Sequence, residues 1–207
     1  TNLEIINLAL AKIGSATISD WNDATKEGRT ATSVFTNNRE WLQEKFPWNF
    51  CLNRIYLTSA STGYQTTAAS TPIDFTAYST EYTYFWPIST VTDCLRVYEL
   101  PGEPLVKYLV EGGYLFTTDN TLAVRYIKKS TDPTKFPPAF TNCLALAIAM
   151  EIASILTGDM KLRLAIKNEF LEEIEQAYLL NAIEGRTRVG KGSRSLDITG
   201  ATWQEER

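Results

Sequence analysis

The chain has 207 residues, of which 44% are hydrophobic and 21% are charged, and it carries a net charge of −4. This length allows one sizeable core, or one core with a smaller attached unit, and the slight negative charge argues against general coating of nucleic acid. The chain contains no histidine, which excludes Ser-His-Asp and Cys-His catalysis, histidine general bases and nearly all zinc enzyme sites.

Three cysteines, Cys51, Cys94 and Cys143, are widely spaced and have apolar neighbours. This pattern predicts reduced, mostly buried thiols in a protein made in the cytoplasm. No charged segment followed by an apolar stretch opens the sequence, so we expect no signal peptide. The longest apolar run, at 143–150, is too short to span a bilayer.

The first 47 residues predict two helices. Residues 1–14 place apolar side chains at helical spacing, Thr1 and Glu4 have the spacing of a capping box, and Gly14 suits a helix end. A polar loop leads to a second helix near 23–46, and Pro47 ends it.

The middle of the chain predicts strands. Residues 49–60 alternate, 61–72 are small and polar as in a loop, and 81–90 and 93–100 have strand composition. Three further runs, "PLVKYLV", "YLFTT" and "LAVRYIKK", are separated by turn residues at 111–113 and 119–120. We expect these three runs to form a three-stranded meander.

Two more helices are predicted after the strands. Residues 136–157 start with two prolines, which suit a first helical turn, and are apolar nearly all round, as in a helix buried on more than one side. A reversal at 157–159 leads to a fourth helix that runs to about residue 184.

The element order predicts an α+β fold that is mainly α. In this prediction residues 1–47 and 136–184 form a four-helix bundle, and a β lobe, residues 48–135, is inserted between helices 2 and 3. The stretch "EKFPWNFCLNR" at 44–54 marks the junction between the two. Four residues form this bundle–lobe junction, and we expect the two aromatic ones to be wedged between bundle and lobe: Pro47, Trp48, Asn49 and Phe50.

Residues 185–207 differ from the rest in composition, with four glycines and few apolar groups. Their five basic and three acidic residues give a net charge of +2, so residues 1–184 carry −6. We interpret the segment as an extended C-terminal arm that becomes ordered on a partner. Its candidate binding residues are four basic and three apolar ones: Arg186, Arg188, Lys191, Arg194, Leu196, Ile198 and Trp203.

The residue types give little support for catalysis. Four glutamates on the last helix, Glu169, Glu172, Glu173 and Glu175, contain pairs that could do acid–base chemistry, but such a cluster is typical of a solvated helix face. The many aromatics at 41–86 could stack on bases, but only Lys45 and Arg54 accompany them between residues 40 and 90, which favours packing instead. We expect no enzyme activity, no cofactor and no metal site.

Four segments, in order, resemble the head-to-tail adaptor proteins of phages, the tail tubular protein A family of short-tailed phages. They are "NLALAKIGSATISDWND" at 7–23, "WLQEKFPWNFCLNR" at 41–54, "YFWPISTVTDCLRVYEL" at 84–100 and "YIKKSTDPTKFPPAFTNCLALAIAMEIASILTGD" at 126–159. The resemblance covers nearly the whole chain. Thr17 departs from it, because the family often has proline there.

The resemblance implies a structural virion protein without enzymatic activity, located at the head–tail interface after assembly in the host cytoplasm. Twelve copies would form a ring beneath the portal protein, and genomic DNA would pass through its lumen without specific binding. The C-terminal arm would bind the portal, and the β lobe would meet the tail nozzle or tail tube. No membrane is involved in this reading.

Two alternatives remain open from the residues. One is a cell-wall hydrolase that uses carboxylates such as Glu172 and Glu173, which would have to lie roughly 5–9 Å apart in a cleft. The other is a nucleic-acid binder that acts through the basic C-terminal arm, whose affinity would fall steeply with salt.

Overall fold

The computed structural model describes residues 1–58, 64–65, 81–101 and 106–185. Within these ranges there are four α-helices and seven strands. The helices are α1 (Asn2–Lys12), α2 (Lys26–Lys45), α3 (Pro138–Leu156) and α4 (Met160–Glu184). The strands are β1 (Leu52–Thr58), β2 (Tyr64–Gln65), β3 (Tyr84–Pro87), β4 (Cys94–Glu99), β5 (Tyr108–Glu111), β6 (Tyr114–Thr117) and β7 (Thr121–Lys128).

The helix ends follow local chemistry. Thr1 and Glu4 form the capping box predicted for α1, with the threonine hydroxyl accepting from the Glu4 backbone N–H. The N-cap of α2 is Thr25, so this helix starts three residues after the predicted position. Between α3 and α4, Gly158 adopts a left-handed φ of +71°, and the Asp159 carboxylate accepts from the first backbone N–H groups of α4.

The strands form two antiparallel sheets. The first has the order β1-β7-β4, with Leu52 opposite Ile127 at one end of the β1–β7 ladder. The second has the order β2-β3-β6-β5, in which Phe85 lies opposite Phe116. The β4–β7 ladder contains two register shifts, next to Cys94 and next to Val97.

The predicted three-stranded meander is wrong in its third strand. The β5–β6 hairpin forms as predicted, around Gly112 and Gly113 with φ values of +58° and +83°. After the short connection at 118–120, however, β7 leaves this sheet and pairs with β1 and β4 in the other. Neighbouring strands in sequence pair often but not always, and the apolar pattern does not identify the sheet that a strand joins.

The prediction of a mainly α four-helix bundle with an inserted β lobe is wrong. The chain has an α+β fold with substantial sheet, and α3 packs against the other three helices. Ile127 on the central strand β7 is fully buried in the same core as the helices. Leu52 and Leu95 of the flanking strands are partly buried and pack against this core. The first sheet therefore extends the helical core, because strand side chains contact the helices directly.

Two smaller clusters of buried residues lie in the sheets. One contains Trp86, Val124 and Tyr126, and the other contains Tyr82, Phe85 and Phe116. By length and composition α3 is apolar enough to cross a membrane, but 56% of its most apolar window is buried inside the protein. The same composition is expected of a central core helix.

Candidate assembly surface

The Pro47–Phe50 junction lies against the helical core. Trp48 is only 2% exposed, and its indole N–H donates to the Leu42 carbonyl oxygen at 2.9 Å. This hydrogen bond runs back to the end of α2, where Pro47 prevents the helix from continuing. The indole therefore anchors the residues after Pro47 to the last turn of α2.

An aromatic cluster surrounds the junction. The Phe140 ring of α3 packs edge-on against Trp48 at a centroid distance of 5.1 Å and against Phe50 at 4.9 Å. Phe136, just before α3, is 4.9 Å from Phe140. Offset and edge-to-face rings at these distances add to the stabilisation from burial. Trp48 and Phe50 thus fix the start of the first sheet onto α3.

Asn49 connects the junction to the end of α4. Its backbone N–H donates to the Asn181 side-chain oxygen at 2.8 Å, and its side-chain amide donates to the Asn181 carbonyl oxygen at 2.6 Å. The Asn181 side-chain amide in turn donates to the Pro47 carbonyl oxygen at 3.1 Å. We call these three hydrogen bonds the Asn49–Asn181 clamp. The clamp fixes the last turn of α4 against the start of the sheet region.

A second polar set joins α2 to the segment before α3. The fully buried Gln43 amide exchanges two hydrogen bonds with the Ser130 backbone, at 2.9 and 3.1 Å. The Glu40 carboxylate pairs with the Lys129 ammonium at 2.5 Å. The hydrogen bond from Lys129 holds the pKa of Glu40 below its ordinary value of 4.5, despite partial burial.

The outer face of α4 exposes large apolar side chains. Leu164, Leu171 and Tyr178 are 58%, 48% and 42% exposed. They are spaced by seven residues, so they form one stripe along the helix. We call them the α4 stripe. Exposed apolar side chains that recur along one side of a helix are a candidate contact site for another protein surface.

The α4 stripe borders a groove between α3 and α4. The groove has a volume of about 330 Å³, and its lining includes Met150, Met160 and Leu164 together with the basic residues Arg163 and Lys167. Apolar walls with charged side chains at the rim are typical of protein–protein contacts.

Acidic residues occupy a different side of α4. Glu169 pairs with Lys12 of α1, and Glu172, three residues further along the helix, is exposed. Arg163 and Lys167 line the groove instead, so these two basic side chains lie on a different side of the helix from Glu169 and Glu172. A helix with this charge separation can pair with an equivalent helix through unlike sides.

The two carboxylates considered for hydrolysis, Glu172 and Glu173, differ in their surroundings. Glu172 is exposed and Glu173 is half-buried on the side of α4 that faces α3. Burial, together with the nearby charge of Glu173, raises the pKa of the Cys143 thiol to about 12. Burial alone raises the pKa of Cys51 to about 12. At neutral pH both thiols are protonated, which makes them poor nucleophiles.

The aromatics considered for base stacking are mostly inside the protein. Trp48, Phe85 and Trp86 are buried, whereas Tyr56 is 70% exposed and Trp41 is 41% exposed. Buried rings cannot stack on nucleotides. Within the described parts of the chain, no group of three or more possible metal ligands is present.

The predicted arm residues lie outside the described residues. They are Arg186, Arg188, Lys191, Arg194, Leu196, Ile198 and Trp203. Most of the predicted loop at 61–72 also lies outside them, although 64–65 belong to β2.

Two features of this surface are absent from the sequence-based predictions. The seven-residue spacing of Leu164, Leu171 and Tyr178 is visible in the sequence, and it could have indicated a helix with a second apolar side. The partnership of Asn49 with Asn181 could not have been found in this way, because 132 residues separate them.

Searches against protein-family models and against curated protein sequences found no match for this chain.

Proposed function

We propose that this chain is a structural virion protein, a head-to-tail adaptor that assembles into a ring beneath a portal protein and connects the capsid to a tail nozzle or tail tube. The proposal combines the resemblance of four sequence segments with one structural observation. That observation is the α4 stripe, a line of exposed apolar side chains on a helix that buries a different side, at Ile166, Phe170 and Ile174, in the core. It supports an assembly role because burying it requires another protein surface.

The charges on α4 support a ring more than a two-fold dimer. A closed ring uses two different surfaces on each subunit, whereas a two-fold dimer uses one surface twice. The basic groove rim at Arg163 and Lys167 and the side that carries the exposed Glu172 are two such unlike surfaces. Side-by-side packing of subunits would bring them together.

The net charge agrees with passage of DNA without specific binding. Residues 1–184 carry −6, and a negative lumen repels the phosphate backbone. In this proposal the ring has twelve members, the arm at 185–207 binds the portal through its basic and apolar residues, and the protein resides at the head–tail interface of the virion. Neither a cofactor nor a membrane has a role in it.

The proposal is tested by electron microscopy of the full chain mixed with the portal from the same particle. We expect a twelve-fold collar below the portal. The double variant Leu164→Ser and Leu171→Ser should fold, because exposed substitutions cost little stability, but should not form the collar. Tyr56→Ser, which alters a 70% exposed residue on β1, is the matched control and should assemble.

Two outcomes would contradict the proposal. If the full chain does not associate with the portal, the adaptor function is wrong. If the double variant forms the same collar as the wild type, the α4 stripe is not the subunit interface. The hydrolase and nucleic-acid alternatives stay predictions, and the geometry of the described residues favours neither over an assembly role.

A further inference from the structure

A small apolar groove lies beside the end of α4, away from the α4 stripe. Its volume is about 230 Å³, and it runs between the start of α3 and the last turns of α4. Pro137 and Pro138 form one wall, Leu180 and Glu184 form the other, and Trp48 lies at its base. Ligand sites commonly combine such apolar walls with a few polar groups at the edge.

Two large apolar side chains near the end of α4 are exposed. Leu180, which lines the groove, is 57% exposed, and Ile183, three residues further along the helix, is 49% exposed. Both belong to the part of α4 that the Asn49–Asn181 clamp fixes in place. The clamp therefore holds the α4 wall of the groove in place relative to Pro47 and Asn49.

The chain leaves α4 at the edge of this groove. Gly185 ends the helix, and a Cβ added there would lie 3.0 Å from the Asn49 side-chain oxygen, so Gly185 packs directly against the clamp. Glu184, the residue before it, lines the groove. The following residues, 186–207, therefore start within a few ångströms of the groove.

The sequence after Gly185 contains a suitable occupant. Leu196 and Ile198 are two residues apart, so an extended backbone presents both on one side. Leu196 is eleven residues beyond Gly185, and such a length reaches up to about 36–40 Å, more than enough to return to the groove. Closing so short a loop costs little entropy, and the tether raises the local concentration of the segment to the order of millimolar.

Charge favours the same occupant. Four basic residues lie between Gly185 and Leu196, whereas residues 1–184 carry a net −6 and Glu184 lines the groove itself. Attraction between the basic stretch and the acidic body would keep the segment near the surface.

We propose that the groove beside Trp48 and Leu180 binds the chain's own Leu196–Ile198 stretch in the free subunit. The apolar side chains occupy the groove, and the basic residues before them lie over the acidic surface. This inference does not depend on the adaptor function. If the adaptor function holds, binding of the arm to a portal displaces the stretch from its own groove.

The test is a photo-cross-link in the full-length chain. Leu180 is replaced by p-benzoylphenylalanine, and the matched control carries the same replacement at Leu164, which is 58% exposed on the same helix but lies at the other groove. After irradiation in dilute solution, trypsin releases residues 195–207 as one peptide, because Arg194 and Arg207 flank it without an intervening lysine or arginine. We expect cross-links to this peptide from position 180, in monomer-sized product, at several-fold higher yield than from position 164.

A second variant tests the two side chains. Leu196→Ser with Ile198→Ser should remove the cross-link from position 180 while leaving the circular dichroism spectrum unchanged. The proposal is overturned if position 180 does not cross-link to 195–207, if position 164 does so equally, or if the double serine variant cross-links as before. A cross-link found only in dimer-sized product would overturn it too, since the occupant would then be the segment of a second copy.

Discussion

Replacing Trp48 by alanine should be among the most destabilising single substitutions in this chain. The side chain is 2% exposed and contacts the rings of Phe46, Phe50 and Phe140. Removal of a buried tryptophan costs about 3–5 kcal/mol in transfer free energy and cavity formation. Part of that cost is the indole hydrogen bond to the Leu42 carbonyl, which is worth about 1 kcal/mol.

A conservative variant separates the ring contacts from the hydrogen bond. Trp48→Phe keeps an aromatic ring in the cluster but removes the N–H donor, so we expect a loss of about 1–2 kcal/mol in unfolding free energy. Trp41→Ala is the control, since Trp41 is 41% exposed and contacts Phe170 at a centroid distance of 6.2 Å. Its loss should be about 1 kcal/mol.

The assay is unfolding in guanidinium chloride followed by far-ultraviolet circular dichroism, with the free energy taken from the transition midpoint and slope. The order of stability should be wild type, then Trp41→Ala and Trp48→Phe, then Trp48→Ala. If Trp48→Ala lies within about 1 kcal/mol of Trp41→Ala, the central packing role of Trp48 is refuted. Trp48 would then have to be exposed in the free protein and available to a partner.

Three further predictions concern polar groups and thiols. Asn181→Ala removes two side-chain hydrogen bonds of the clamp and should lower the free energy of chemical unfolding by about 1–3 kcal/mol. The control Asn168→Ala, which alters an exposed asparagine on the same helix, should lower it by under about 0.5 kcal/mol. Glu40 has a lowered pKa, so its contribution is present above the ordinary value of 4.5 and is lost as the pH falls below it. The stability difference between wild type and Glu40→Gln should therefore shrink toward zero at low pH in unfolding titrations, and a constant difference would contradict the pairing with Lys129. In native protein at pH 8, a thiol reagent should modify only Cys94 by mass spectrometry, and the two buried cysteines should react only after denaturation.

Local chemistry made the helix ends and one hairpin predictable. The capping box at Thr1 and Glu4, the stop at Pro47 and the cap at Asp159 each involve groups within four residues of one another. The glycine pair at 112–113 likewise gave the β5–β6 hairpin, because positive φ values there suit glycine. Such features depend only on residues that are close in sequence, so a single sequence is enough to predict them.

The arrangement of the strands depended on distant residues and was not predictable. Ile127 has the same apolar character whether it faces another sheet or a helix, so its burial in the helical core could not be read from β7. The short connection at 118–120 resembles a hairpin turn, yet it carries the chain from one sheet to the other. A pattern of alternation gives the buried side of a strand but not the element that covers it.

The candidate surface likewise has one feature that depends on spacing within a helix and one that depends on residues far apart in sequence. The α4 stripe follows from a seven-residue spacing, whereas the clamp needs Asn49 and Asn181 to meet in the folded chain. The clamp matters more for the fold, because it joins three parts of the molecule at one point. Pro47 belongs to the end of α2, Asn49 to the entry of the first sheet, and Asn181 to the end of α4. Gly185, the last described residue, therefore has a position that is fixed relative to both the sheet and the helices. An interaction of residues 186–207 with a portal or with the chain's own groove is accordingly positioned by the same three hydrogen bonds that hold the junction.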